Sequence, residues 1–411
     1  MKVAFFLLHY PVFSETFVSR ELLNLQHLGV EGLIYCEKKI TTPPFHPHLK
    51  QIKFPINIIT QKIFGSNFFP LIFSHFYWIF KNPLGYLKSL CLLFTFFNYH
   101  HFRVFIKAPH LALKIKQNHV DLIYVHEVDS PSLFGLICSR LCLVPCGIIL
   151  HTQYLFAQKQ FLSQKIIFTN FVIFQSLYSQ KQAFSLAGLP KKYLSKCHVL
   201  STPGVDTSLF APPLKPSFPK QIKLIIIGRL EAAKGYSALL RAIKKLKRTF
   251  PDILLTIIGN GSQRTQLKNY ISLNNLKKNV HLLGYVSHGL KLIKLLHQHQ
   301  YFILPSIVDF QGVHDVHPNV IKEAMSAGLL CITSRLGGID EIIVNGKNAF
   351  LINKPTPKNI AKMIDYVQSL PLSQKKSLSL HARQTILKQH LQENICSQLK
   401  DIFSKYTNEK K

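Results

Sequence analysis

The sequence predicts an α/β protein made of two doubly wound domains, each a parallel sheet with helices on both faces. In both halves of the chain, short apolar runs of strand length alternate with amphipathic helical segments. Between the halves, residues 211–219 (APPLKPSFP) hold four prolines, which no helix or central strand accommodates. With 411 residues, 47% of them hydrophobic, the chain is long enough to bury a core in each half.

The first half opens with an apolar strand and a helix that Gly29 closes. A strand follows, and after a long basic segment the alternation resumes with a strand, a helix and two more strands. The predicted ranges are 2–8, 14–28, 30–36, 121–126, 130–143, 147–151 and 171–175.

The second half repeats this pattern beyond the prolines, and residues from 357 onward are mainly helical. Its predicted ranges are strand 222–227, helix 235–249, strand 253–258, strand 301–304, helix 319–327 and strand 330–333. We therefore expect a first domain over 1–205, a linker over 206–219 and a second domain over 220–394. A C-terminal helix at about 395–411 is expected to pack back on the first domain. Ligands are expected at the carboxyl ends of the strands.

The composition excludes several classes of protein. The apolar content excludes intrinsic disorder, although 50 Lys+Arg against 19 Asp+Glu give a formal net charge of +31. No apolar run is long enough to span a bilayer, and the six apolar residues 3–8 are too few for a secretory signal. Eight cysteines form no disulfide framework, which favours a reducing, cytoplasmic location. No cysteine spacing indicates a metal site.

The charge is uneven within the first half. Residues 38–120 hold eleven Lys+Arg and no Asp or Glu, with aromatic residues crowded between 68 and 80. This mixture predicts peripheral attachment to an anionic membrane surface. The same pattern is compatible with nucleic-acid binding or with the edge of a helical core.

Residues 228–235 (GRLEAAKG) follow the first strand of the second half. Gly228 allows close approach of the backbone to a ligand, and the cations Arg229 and Lys234 suit a diphosphate.

A second constellation lies at residues 315–325 (DVHPNVIKEAM). Pro318 suits the first turn of a helix, where the free N–H groups of Asn319 and Val320 favour an anion. The carboxylates of Asp315 and Glu323 are suited to accept hydrogen bonds from sugar hydroxyls.

Together, residues 228–235, 318–328 (PNVIKEAMSAG) and 337–341 (GGIDE) resemble the donor domain of the family-4 (group 1) retaining glycosyltransferases of GT-B fold. Residues 202–210 (TPGVDTSLF) resemble the interdomain signature of that family, and 258–261 (IGNG) its second glycine loop. Residues 14–17 (SETF) resemble the branch that builds colanic acid and exopolysaccharide.

The resemblance implies two domains facing across a cleft and transfer of a sugar from a nucleoside diphosphate to a glycan acceptor. The acceptor it implies is lipid-linked, as in lipopolysaccharide, capsule or exopolysaccharide synthesis, at the cytoplasmic face of the inner membrane. It implies no cofactor and no metal. The implied roles are diphosphate binding by Gly228, Arg229, Lys234, Asn319 and Val320, ribose binding by Glu323, catalysis by His151 and Asp315, and acceptor contacts by Ser14, Glu15 and Thr16.

Three other functions compete with this interpretation. A dehydrogenase lacks support because the first strand is not followed by Gly-x-Gly-x-x-Gly. A nucleic-acid-binding protein rests on charge alone, since no zinc-finger, RNP or helix-turn-helix pattern is present, so we expect no nucleic-acid partner. A non-catalytic GT-B protein is the third, because Asp315 and Val316 stand where the family has glutamate and glycine.

Overall fold

The computed structural model describes residues 1–12, 15–41, 45–59, 68–95, 99–126, 130–151, 161–213, 218–310 and 312–408. The chain divides into two compact units. The first unit comprises Met1–Pro203 and Ile395–Lys411, and the second comprises Gly204–Asn394.

The first unit alternates strands and helices. Its strands are β1 (Lys2–Tyr10), β2 (Glu31–Lys39), β3 (Ile56–Ile58), β4 (Leu122–His126), β5 (Cys146–Leu150), β6 (Phe171–Phe174) and β7 (Cys197–Val199). Its helices are α1 (Thr16–His27), α2 (Phe68–Lys81), α3 (Pro83–Thr95), α4 (Tyr99–Gln117), α5 (Ser130–Cys142), α6 (Leu162–Phe168) and α7 (Leu177–Ala187).

The described strands of the first unit form one sheet in the order β3-β2-β1-β4-β5-β6-β7, with every neighbouring pair parallel. Apolar residues cover both faces of this sheet, as a parallel sheet requires. One face packs on the C-terminal helix, where the Phe403 ring lies 4.8 Å from the Tyr124 ring of β4.

The second unit repeats the alternation. Its strands are β8 (Lys223–Ile227), β9 (Leu254–Ile258), β10 (Val280–Gly284), β11 (Tyr301–Leu304), β12 (Leu330–Ser334) and β13 (Phe350–Ile352). Its helices are α8 (Tyr236–Leu246), α9 (Arg264–Leu273), α10 (Leu290–His297), α11 (Asn319–Ser326), α12 (Pro357–Ser369) and α13 (Leu372–Gln389), and the chain closes with α14 (Gln392–Asn408).

The strands described in the second unit run in the order β10-β9-β8-β11-β12-β13, again all parallel. The strand order reverses between β8 and β11. In open α/β sheets such a switch point opens a crevice at the carboxyl ends of the two strands. The segments after β8 and after β11 therefore flank the expected ligand position.

The predicted α/β elements recur in the structure with boundaries shifted by one to three residues at most ends. The edge strands β3, β7, β10 and β13 were not predicted, because each is either only three residues long or only partly buried and so lacks the apolar run that marks the central strands. The basic segment was not resolved into helices from sequence, and it contains α2, α3 and α4.

The predicted linker differs from the structure at its start. Val205 and Phe210 are buried in the core of the second unit, so residues 204–210 fold with that unit. Residues 214–217, at the centre of the proline-rich stretch, lie outside the described residues. Among the helices described, none is both long and apolar enough to cross a bilayer.

Candidate functional site

The loops at the switch point of the second unit are packed backbone against backbone. Gly235 has φ +71°, and a Cβ there would lie 2.0 Å from the carbonyl oxygen of Pro305, directly after β11. Gly259 has φ +143°, and its Cβ would lie 1.9 Å from the carbonyl oxygen of Gly228. Only glycine fits these two positions, so both predicted glycine loops are built by close backbone approach.

Glu231 ties the two glycine loops together. Its carboxylate accepts hydrogen bonds from the backbone N–H of Ser262 at 3.0 Å and from its hydroxyl at 2.5 Å. These bonds lower the pKa of Glu231, chiefly through the Ser262 side chain. The carboxylate thus fixes the second glycine loop against the segment that carries Arg229 and Lys234.

Lys234 and Asp315 are brought into direct contact. The Lys234 Nζ donates to Asp315 Oδ1 at 2.6 Å, and the Ser306 hydroxyl donates to Asp315 Oδ2 at 2.5 Å. Both side chains are largely buried. Each carboxylate oxygen of Asp315 therefore has a donor, and Asp315 holds the ammonium group at the switch point. Lys234 has three N–H donors, so one contact leaves capacity for a phosphate oxygen.

The segment around Asp315 rests on the third glycine motif. Gly337 has φ +63°, and a Cβ there would lie 2.6 Å from Cα of Val316. The Gly338 N–H donates to the Val316 carbonyl at 3.0 Å. Val316 is buried, so the residue that replaces the family glycine packs inward.

The helix α11 begins as predicted at Asn319, with Pro318 as its N-cap residue. Pro318 has φ −70° and ψ 121°, so it lies one position before the helix rather than in its first turn. The first N–H groups of a helix have no partner within it, and they include those of Asn319 and Val320. This end of α11 is suited to an anion.

Glu323, on α11, is buried and meets a residue that sequence reasoning missed. His288, between β10 and α10, places Nε2 3.1 Å from Glu323 Oε1, and its ring lies 5.1 Å from the Phe210 ring. The histidine therefore orients the carboxylate from one side. The two residues are 35 positions apart, so spacing alone does not connect them.

Two further cations of the second unit differ in environment. Arg229 is exposed and follows Gly228 directly. Lys322, next to Glu323, is fully buried, and this burial lowers its pKa to about 7 although the neighbouring carboxylate opposes the shift. Lys322 was not among the predicted site residues.

His151 of the first unit follows β5 and belongs to a chain of buried polar groups. Its Nε2 lies 3.4 Å from Nδ1 of His126, which ends the neighbouring strand β4. The His126 Nε2 lies 3.1 Å from Oε1 of Glu21 on α1, not aligned as a hydrogen bond, and the Thr202 hydroxyl donates to the other oxygen of Glu21. The Phe17 ring lies 4.8 Å from the His151 ring.

This environment keeps His151 neutral. Burial, together with the charge of His126, lowers the pKa of His151 to about 3. When His126 carries its proton on Nε2 alone, facing the Glu21 carboxylate, its Nδ1 can accept a hydrogen bond from the His151 N–H. In that tautomer Nδ1 of His151 is a buried acceptor, and the nearby Gln175 side chain opposes the lowering of the His151 pKa.

The predicted acceptor-side residues lie at the start of α1. Ser14 lies outside the described residues, Glu15 is the N-cap residue and Thr16 is the first residue of the helix. Their acceptor role stays a prediction. Within the residues that the structure describes, no three His, Cys, Asp or Glu side chains are grouped as a metal site requires. Metal independence stays a prediction.

The second unit matches a known family. Residues 213–385 match the model of the glycosyl transferases group 1. This segment is therefore similar to the glycosyl transferases group 1. It contains every predicted site residue from Gly228 to Glu323.

Two curated relatives match parts of the chain. Glycogen synthase of Mycobacterium tuberculosis is 30% identical over 148 residues, covering 36% of this chain and 33% of the relative. The Escherichia coli UDP-Gal:alpha-D-GlcNAc-diphosphoundecaprenol alpha-1,3-galactosyltransferase is 28% identical over 261 residues, covering 58% of this chain and 64% of the relative. The chain therefore matches about one third of the first relative's length and less than two thirds of the second's.

The whole chain resembles a solved structure. Anabaena Alr3699/HepE, solved in complex with UDP and glucose, superposes with a TM-score of 0.70 at 19% identity over 98% of this chain and 99% of that chain. At this identity the likeness shows the fold alone. The predicted GT-B fold class is confirmed.

Proposed function

We propose that the chain is a retaining glycosyltransferase that moves a sugar from a nucleoside diphosphate to a lipid-linked surface glycan. The observation that carries the proposal is Lys234, held by Asp315 at the switch point of a unit whose residues 213–385 match the glycosyl transferases group 1. Two glycine loops and the start of α11 lie at the same edge of the sheet. A cation, exposed N–H groups and close backbone approach are what a diphosphate requires.

The donor roles follow from these contacts. Lys234 and Arg229 neutralise the diphosphate as the glycosidic bond breaks, and the N–H groups of Asn319 and Val320 add partial positive charge. Gly228 lets the backbone approach the phosphates. Glu323, oriented by His288, accepts hydrogen bonds from the ribose hydroxyls. These fixed positive groups supply the charge stabilisation that a metal supplies in other transferases.

Asp315 acts on the donor through Lys234. Because both of its carboxylate oxygens already accept hydrogen bonds, its first task is to hold the ammonium group toward the phosphates. Aspartate is shorter than glutamate by one methylene, about 1.5 Å of reach. The loop at Asp315 and Val316, which contacts the donor sugar in this proposal, therefore differs in shape from the corresponding loop of the family.

His151 has a catalytic role in this proposal. Its neutral ring with an acceptor nitrogen suits a hydroxyl group rather than a phosphate. Glu15 and Thr16, with Ser14, serve the acceptor. The SETF motif supports membership of the exopolysaccharide branch, and the name of the E. coli relative, which describes a diphosphoundecaprenol acceptor, supports a lipid-linked acceptor. A lipid-linked acceptor places the enzyme on the cytoplasmic face of the inner membrane.

A mass-spectrometric screen tests the proposal. The chain is incubated with UDP- and GDP-sugars together with diphosphoundecaprenol-linked glycans, and we expect one pair to yield an extended glycan and the free nucleoside diphosphate. An α-linked product from an α-linked donor, and unchanged turnover in the presence of EDTA, test retention and metal independence. Absence of any transfer across the panel contradicts the proposal.

A non-catalytic nucleotide-binding protein is the second candidate. One observation favours it: the oxygens of Asp315 are occupied, and Val316 is buried where the family has glycine. Binding of a nucleotide sugar without any turnover in the same screen would select this alternative.

A further inference from the structure

Helix α2 is apolar on two opposite faces. Leu71, Ser74 and Trp78 are buried, and the Trp78 indole N–H donates to the Pro109 carbonyl of α4 at 2.9 Å. On the other side lies a set of residues that we call the phenylalanine face: Phe69, Ile72, Phe73, Phe76 and Phe80. Their spacing of three, four, seven and eleven positions puts them on one side of the helix.

The phenylalanine face is exposed. Phe69 and Phe80 are 79% and 82% exposed, and Phe73 and Phe76 are 65% and 57% exposed. A surface helix of a globular protein normally presents polar side chains at these positions. An aromatic surface of this kind marks an interaction site rather than ordinary surface.

Helix α3 continues the pattern. Leu84, Leu87 and Phe94 are exposed at spacings of three and ten positions, which places them on one side of this helix with the exposed thiol of Cys91. Two successive helices of the first unit therefore present apolar side chains to the outside.

The positive charge of this region favours an anionic lipid surface over a second copy of the chain as the binding partner. Residues 38–120 carry eleven Lys+Arg without one Asp or Glu, and Lys81 and Lys88 are exposed beside the apolar residues of α2 and α3. A second copy of a chain with net charge +31 would bring like charges together at this surface. An anionic lipid surface accepts apolar rings into its acyl boundary and pairs its headgroups with the flanking lysines.

We propose that the phenylalanine face of α2, with the exposed side of α3, inserts into the acyl boundary of an anionic bilayer. Attachment is then hydrophobic as well as electrostatic, and it fixes which side of the first unit meets the membrane. This refines the membrane location within the proposed function. Flotation measures membrane binding without any sugar transfer, so the insertion proposal and the proposed transferase activity can each fail independently of the other.

The test is flotation of the full chain with vesicles of phosphatidylglycerol and phosphatidylcholine, compared with pure phosphatidylcholine. A variant carrying F69S, F73S, F76S and F80S removes the rings, and its exposed positions tolerate serine without loss of a core contact. Leu273→Ser with Leu290→Ser is the matched control, because both leucines are strongly exposed on the second unit. We expect the ring variant to lose at least about tenfold in vesicle binding and the control to bind like wild type.

Two further results decide between insertion and other attachments. Wild-type binding that persists in about 1 M salt, where surface charge is screened, supports insertion, and complete release contradicts it. Vesicles should protect Cys91 from maleimide modification. The difference in labelling between wild type and Cys91→Ser gives the amount of maleimide bound at Cys91. Equal flotation of wild type and ring variant, or a wild-type dimer that the ring variant dissociates, would overturn the proposal.

Discussion

The two units share one architecture but hold their polar groups in different ways. In the second unit, cations and carboxylates lie on loops at the sheet edge and pair across short gaps, as Lys234 and Asp315 do at 2.6 Å. In the first unit, Glu21, His126 and His151 form a buried chain that ends at a neutral imidazole. The first arrangement is suited to a charged ligand and the second to orienting a neutral group.

The largest effect on sugar transfer is expected when Lys234 of the Lys234–Asp315 pair is removed. Lys234→Ala removes the ammonium group that we propose stabilises the departing diphosphate, and we expect kcat/KM for transfer to fall about 10²–10³-fold. Lys244→Ala, on the exposed side of α8, is the matched control and should leave transfer unchanged. Equal rates for the two variants in a steady-state assay would remove Lys234 from the donor site.

Glu323→Ala tests the proposed ribose binding in the second unit. Loss of the hydrogen bonds to a charged acceptor should raise KM for the nucleotide sugar about 10–100-fold, with a much smaller change in kcat. Asp365→Ala on α12 is exposed and serves as the control. A fall in kcat with KM unchanged would indicate that Glu323 acts on the reacting centre instead of the ribose.

Glu21→Gln tests the buried series of polar groups Glu21, His126 and His151 in the first unit. Glutamine keeps a partner for the Thr202 hydroxyl but removes the negative charge that fixes the proton of His126. We expect kcat to fall about tenfold, as for a positioning residue, with KM for the donor nearly unchanged. Glu31→Gln, a surface control, should have no effect.

A structural role alone would change only stability in that variant. The proposed role also predicts an altered ring-nitrogen spectrum: NMR of ¹⁵N-labelled histidine should show a single neutral tautomer of His151 in wild type and a mixture in Glu21→Gln. An unchanged spectrum would contradict the assignment.

The last prediction concerns stability rather than sugar transfer. Burial lowers the pKa of Lys322 from its ordinary value to about 7, so between that pH and about 10.5 the unfolded chain binds more protons and this residue's contribution to stability rises with pH. Lys322→Met removes the titrating group, so we expect the stability of the variant relative to wild type to fall by about 1–4 kcal/mol between pH 7 and pH 10. Thermal unfolding of both proteins across this range checks it, and a difference independent of pH would count against a titrating lysine.

Sequence reasoning located the glycine loops and the start of α11 because their signals are local. Gly235 and Gly259 stand where close backbone approach excludes a side chain, and α11 begins at the predicted Asn319. The partners of the site were missed because they are remote along the chain: His288 is 35 residues from Glu323, and Thr202 is 181 residues from Glu21. Only His126 had a usable signal, since it ends β4 as His151 follows β5, and neighbouring parallel strands bring such ends together.

The proposed function requires that the second unit bind a nucleoside diphosphate sugar through Lys234. Calorimetric titration of the chain with UDP- and GDP-sugars tests it most directly. The account predicts one saturable site for at least one donor, a loss of affinity of at least about tenfold in Lys234→Ala, and wild-type affinity in Lys244→Ala. Absence of binding to every donor, or equal affinity in all three proteins, would contradict it.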